Sequence, residues 1–183
     1  MRNAEKSMGE LVEGAGAPSS RQPDREDVLL GLSPSGFHEL AFVDWGRLED
    51  KRPIICIHGL TRQGRDFDYL AKRLVDQGRR VICPDLPGRG RNSRLADPDD
   101  YALPQYCADM NALIARLGVA EVDLVGTSLG GLIGIIVAGF SGSIVRSSTI
   151  SAPSCRQRGC IGSGNTSELC RRHFRRSSRP RNI

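Results

Sequence analysis

From position 37 to position 145 the apolar residues fall into short runs and helical stripes that alternate along the chain. Phe37 to Gly46 is aromatic and apolar enough for a strand, closing in a turn at Gly46. Arg52 to Leu60 carries Ile54-Ile55-Cys56-Ile57, a buried strand running into a His-Gly corner. Phe67, Leu70, Leu74 and Val75 recur at helical spacing and predict an amphipathic helix from Asp66 to Gln77. Asp66 is its candidate cap and Gly78 its stop. Arg80 to Asp85 is another β run, followed by the turn Leu86-Pro87-Gly88-Arg89-Gly90 and a charged loop. Tyr106, Met110, Leu113, Ile114 and Leu117 share one face of a helix from Pro104 to Leu117, and Gly118 ends it. Val122 to Val125 reads as a further buried strand, and an apolar, glycine-spaced helix follows at once. This alternation predicts an α/β fold, a mostly parallel sheet with helices on both faces.

The ends of the chain lack such patterns. Residues 1–27 are polar, charged on both signs and punctuated by Gly, Ser and Pro, and read as a flexible leader. Residues 28–145 form the expected domain. Beyond Val145 the pattern stops, and residues 146–183 are rich in Arg, Ser, Cys and Gly. His38 has no recognisable catalytic neighbour in the sequence and is expected at the surface or at a strand edge.

Composition changes this picture in two places. The chain has 183 residues, room for one domain with a sizeable core, and a net charge of +5. Nine Arg and one Glu lie after Val145, so the remainder carries 17 basic against 20 acidic side chains and is mildly acidic. The excess basicity belongs to the tail. Six cysteines are scattered without metal-ligand spacing, and Cys56 and Cys83, inside strand-like runs, are expected as free buried thiols. No run is long enough to span a membrane and no secretory signal is visible, so a cytoplasmic location is the default expectation.

Candidate chemistry centres on Gly126-Thr127-Ser128-Leu129-Gly130, a G-x-S-x-G match set between a strand and a helix. So tight a turn strains the central backbone and leaves no room for a Cβ at either flanking glycine. Ser128 is then the candidate nucleophile, standing where free helix N–H groups favour developing negative charge.

Three motifs stand in order: Cys56-Ile57-His58-Gly59-Leu60, Pro84-Asp85-Leu86-Pro87-Gly88-Arg89-Gly90 and Gly126-Thr127-Ser128-Leu129-Gly130-Gly131. Together they resemble the N-terminal half of an α/β-hydrolase fold enzyme, over roughly residues 37–145. The resemblance implies that the backbone N–H groups of Leu60 and Leu129 form an oxyanion hole. It implies a corner-supporting role for His58 and a turn-forming role for Asp85, with the triad acid and histidine later in the chain. A serine at the elbow, where relatives that displace halide or open epoxides carry aspartate, implies acyl transfer to water. The implied substrates are small ester-, lactone- or similar acyl-type molecules, with no metal and no cofactor.

The tail does not supply the missing groups. Its only histidine is His173, set among Arg171, Arg172, Arg175 and Arg176, and its only acid is Glu168. Acid and base are therefore read as absent, and the chain as a truncated hydrolase without a working triad. A tail translated out of frame from near Arg146 accounts for this. Codons can be chosen for Ser147 onward whose third-base frame reads Leu-Asn-Asp-Ile-Gly-Pro-Glu-Leu, a strand followed by a turn. Two alternatives stay open: a non-catalytic remnant, and a polyanion-binding protein acting through the arginine-rich tail. A nucleic-acid partner and a membrane partner are not expected.

Overall fold

The computed structural model describes residues 22–140 and the strand 145–151. Six strands form one sheet: β1 (Arg25–Ser33), β2 (Gly36–Trp45), β3 (Ile54–Ile57), β4 (Val81–Pro84), β5 (Val122–Thr127) and β6 (Val145–Ser151). Their spatial order is β1-β2-β4-β3-β5-β6. β4, β3, β5 and β6 run parallel, while β2 pairs antiparallel with both β4 and β1. Three α-helices connect them, α1 (Asp68–Asp76), α2 (Leu103–Leu117) and α3 (Leu129–Phe140).

Strand alternation decides which helix covers which face. Leu40, Phe42, Ile55, Ile57 and Ile82 point to one side, where Tyr106, Met110 and Leu113 of α2 and Ile133 and Val137 of α3 meet them. Val43, Trp45, Ile54, Cys56, Val81 and Cys83 point to the other, packed against Phe67 and Ala71, with Leu70, Leu74 and Val75 of α1 beside them. Every residue of β3 and β4 is buried, which is why those strands read as continuous apolar runs. Burying each large side chain contributes about 1.5–3 kcal/mol.

Cys56, Cys83 and Cys107 are free and buried. A hydrogen bond with Cys56, together with burial, pushes the Cys83 thiol well above its ordinary value. It is a packing group, not a reactive one.

The structure corrects the sequence reading at four points. β1 begins at Arg25, inside the segment read as leader, and pairs along its length with β2. Its apolar run Val28-Leu29-Leu30-Gly31-Leu32 is short, follows the charged Arg25-Glu26-Asp27 and is broken by Gly31, so it stands out weakly from the polar segment before it. β6 continues past Val145 to Ser151, a largely polar stretch held by main-chain pairing in parallel with β5. The rest of the tail, residues 152–183, lies outside the described residues, as do residues 1–21. Asp66 does not cap α1, because it sits in a 3-10 turn over Gly64–Phe67 and Phe67 occupies the cap position. His38 is buried, not exposed: its Nε2 lies 3.0 Å from Asp109 Oδ1 of α2, which also accepts from Gln105 Nε2 at 2.9 Å. It shares the inward face of β2 with Leu40 and Phe42, and a carboxylate 71 residues away makes burial tolerable. Burial raises the Asp109 carboxyl above the usual carboxylate value, against the opposing pull of His38 and Gln105.

Candidate active site

β5 ends at Thr127 and α3 begins at Leu129, so Ser128 alone makes the turn. Its φ of +50° is the only positive value among the described non-glycine residues. Left-handed backbone costs an L-residue about 1–2 kcal/mol, and it persists here because both flanks are locked. On one side β5 is held in the sheet; on the other, Leu132 N–H donates to the Ser128 carbonyl at 3.1 Å. Two glycines make the crossing possible. A Cβ at Gly126 would lie 2.6 Å from Gly131 N, and one at Gly130 would lie 2.7 Å from the His58 carbonyl oxygen. Ser128 itself is exposed, at the carboxyl end of the parallel strands.

The His-Gly corner forms the facing wall. A Cβ at Gly59 would stand 3.4 Å from Thr127 O and 3.5 Å from Ser128 Cβ, so corner and elbow are in contact. The Gly59 carbonyl accepts from His58 Nδ1 at 2.7 Å and from Arg62 N–H at 3.1 Å. In a trans peptide the N–H opposes the C=O, so tethering that oxygen fixes the direction of Leu60 N–H. His58 Nε2 accepts from Leu86 N–H at 2.8 Å. A carbonyl only accepts and a peptide N–H only donates, so His58 is neutral with its proton on Nδ1. Burial holds its imidazole below the usual histidine range.

Asp85 is buried, and both its carboxylate oxygens are taken up by main-chain donors. Its Oδ1 accepts from Gly64 N–H at 2.7 Å and its Oδ2 from Arg91 N–H at 3.0 Å. The carboxylate thus ties the end of the corner loop to the turn after β4. A shallow groove of about 290 Å³ opens beside the corner, lined by Thr61, Arg62, Gln63, Asp66, Arg89 and Gly90.

The structure therefore brings Ser128, Leu129 and the Gly59–Leu60 peptide to one end of the sheet. It places neither described histidine at Ser128: both ring nitrogens of His58 are engaged, and His38 is on β2. In the strand order β2 stands three positions from β5, roughly 14 Å at ordinary strand spacing. His173 and Glu168 lie outside the described residues. Among the described residues no three His, Cys, Asp or Glu side chains gather as a metal site, and no helix is long and apolar enough to cross a membrane. One residue the sequence reading noted only as part of a turn also reaches the corner: Arg89 Nε donates to the Leu60 carbonyl at 2.9 Å. Its acceptor is a main-chain oxygen, which leaves no mark in a sequence.

Comparison with known proteins decides the family. The profile of the α/β hydrolase fold matches residues 52–176. This chain belongs to the α/β hydrolase fold family. The 3-hydroxybutyrate-oligomer hydrolase of Cupriavidus necator is 52% identical to this α/β hydrolase over 115 residues, 63% of this chain and 39% of that protein. A non-heme haloperoxidase of Rhodococcus erythropolis is 38% identical over 93 residues, 51% of this chain and 32% of that one. The crystal structure of an α/β hydrolase from Novosphingobium aromaticivorans, 34% identical, superposes with a TM-score of 0.61 over 68% of this chain and 43% of its own. The chain thus spans less than half the length of each of these relatives.

Proposed function

We propose that Ser128 is the nucleophile of a hydrolase acting on ester-, lactone- or similar acyl-type small molecules. One observation carries the reading: Ser128, strained at φ +50°, stands exposed against the Gly59–Leu60 corner. Attack of Ser128 Oγ on an acyl carbon produces a tetrahedral oxyanion beside the main-chain N–H groups of Leu60 and Leu129. Two such donors about 3 Å from the developing charge lower the barrier by several kcal/mol. Collapse of that intermediate breaks the ester C–O bond and expels the alcohol, which takes up the proton lost by Ser128 Oγ; water then cleaves the acyl-enzyme to the free acid and regenerates Ser128. The name of the Cupriavidus relative supports an ester substrate, since hydroxy acids oligomerise through ester bonds.

The chemistry also needs a base, and both described histidines are committed elsewhere. A serine without its base loses orders of magnitude in rate. We therefore expect weak turnover from the arrangement that the described residues make by themselves. The chain's arginine-rich tail supports a shift of reading frame near Arg146, which the DNA downstream of the Val145 codon tests directly.

A fluorophosphonate probe followed by peptide mass spectrometry tests the nucleophile. At alkaline pH, where hydroxide stands in for the base, selective modification of Ser128, lost in Ser128→Ala, is expected; uniform modification of many serines favours the non-catalytic remnant. Hydrolysis of p-nitrophenyl acetate should stay close to background. Robust turnover abolished by Ser128→Ala would show that a base is present after all.

A further inference from the structure

We propose that Arg89 is a positioning residue for the main-chain donor at Leu60. The proposal rests on the oxyanion reading of that amide. Leu60 lies beyond the end of β3 and its side chain is half exposed, so neither sheet pairing nor packing fixes it. Its two flanking peptides are fixed instead. The preceding one is tethered through the Gly59 oxygen by His58 and by Arg62 N–H. The following one is tethered through the Leu60 oxygen, which accepts from Arg89 Nε at 2.9 Å. With both planes held, the φ and ψ of Leu60 are determined between them, and its N–H keeps one direction.

Arg89 is stiff enough for this task. Its Nη1 donates to the Pro87 carbonyl at 2.7 Å and to Tyr106 Oη at 3.0 Å. The guanidinium carbon lies 5.7 Å from the Tyr101 ring centroid and 5.8 Å from that of Tyr106. Tyr106 is buried in α2, and Tyr101 Oη accepts from Leu95 N–H at 2.9 Å, so both rings are anchored. A planar fork with fixed donor directions meets the Leu60 and Pro87 carbonyls and the Tyr106 hydroxyl at once; an ammonium group does not. Arg89 thereby connects the corner that carries the donor to the turn after β4 and to α2.

The test compares the full chain with Arg89→Ala and Arg89→Lys by two readouts. The first is the backbone amide resonance of Leu60 in 15N-leucine-labelled protein, with Leu124 in β5 as the internal control. The second is the second-order rate of fluorophosphonate addition at Ser128 at alkaline pH, where hydroxide substitutes for a protein base. The Leu60 resonance should move in both variants while Leu124 stays. The rate should fall about tenfold in Arg89→Ala, less than the 10²–10³ lost when an oxyanion donor is removed outright. Added methylguanidinium should restore much of it, which a general loss of structure would not allow. An unmoved Leu60 resonance or an unchanged rate in a folded variant overturns the proposal, and if Arg89→Ala does not fold, Arg89→Lys is read in the same way. A wild-type chain unreactive at Ser128 overturns the oxyanion reading and this proposal together. A reactive wild type with an unaffected Arg89→Ala overturns this proposal alone.

Discussion

Gly130 of α3 lies so close against the end of β3 that a Cβ at position 130 would overlap the carbonyl oxygen of Ile57. The obstructing atoms are main chain at the end of β3 and in the His58 corner, and Gly130 is in the first turn of α3, so neither side gives way without moving an element. The contact brings the helix N-terminus behind Ser128 and holds the elbow shut.

Gly130→Ala should therefore destabilise by several kcal/mol, in the range reserved for overpacking and backbone displacement. Gly134, one turn later, is the control. A Cβ there meets Leu124 at an ordinary 3.9 Å. Gly134→Ala should gain helix propensity of up to about 1 kcal/mol. Chemical denaturation of the two variants checks the contrast; equal midpoints would show that the crossing is not tight.

Position 128 should separate stability from reactivity. Glycine accepts φ +50° without strain, whereas alanine retains the serine's penalty. Ser128→Gly should therefore be more stable than Ser128→Ala by about 1 kcal/mol, with both silent toward fluorophosphonate. Thermal melts of the pair give the answer, and alanine melting at or above glycine would argue against a strained turn.

His58 gives stability a defined pH dependence. Its folded value is depressed by burial, so the unfolded chain binds the proton more readily. The stabilisation is complete above the unfolded histidine value, about 6.5, and is lost as pH falls from there toward the lower folded value. Protonation also forces Nε2 to abandon the Leu86 N–H. Asp109 acts in the opposite sense: burial raises its value, so the folded protein binds that proton more readily and gains stability as pH falls. The slope of unfolding free energy should flatten in His58→Gln just below about pH 6.5, and steepen in Asp109→Asn just above the ordinary carboxylate value, about pH 4. Identical slopes in all three proteins would remove both assignments.

The sheet edge is an aggregation liability. Val28, Leu30 and Leu32 of β1 and Phe37 of β2 are exposed on one face of the outermost hairpin, Phe37 at 76%. Exposed apolar edges template association between chains. Leu30 stands opposite Glu39, so Leu30→Lys places a cation beside a carboxylate while removing apolar surface. Soluble yield should rise and concentration-dependent light scattering fall, with folding stability within about 0.5 kcal/mol of wild type. Unchanged scattering would place the association elsewhere.

The sequence alone determined the elements from Phe37 to Phe140, their α/β alternation, and the elbow at Ser128. Each is written within a few residues: a buried parallel strand as an apolar run, a covering helix as a stripe, a tight turn as glycines. Only the tertiary structure decided that β1 and β6 complete the sheet, because the neighbour an edge segment pairs with is set by main-chain hydrogen bonds across the sheet and not by its own pattern. It alone joined His38 to Asp109 and Arg89 to the Leu60 oxygen. Those partners meet across chain separations of 71 and 29 residues, and in the second the acceptor is backbone that every residue type carries alike. Periodicity specifies which face an element buries; what a buried polar group finds there depends on how the elements pack.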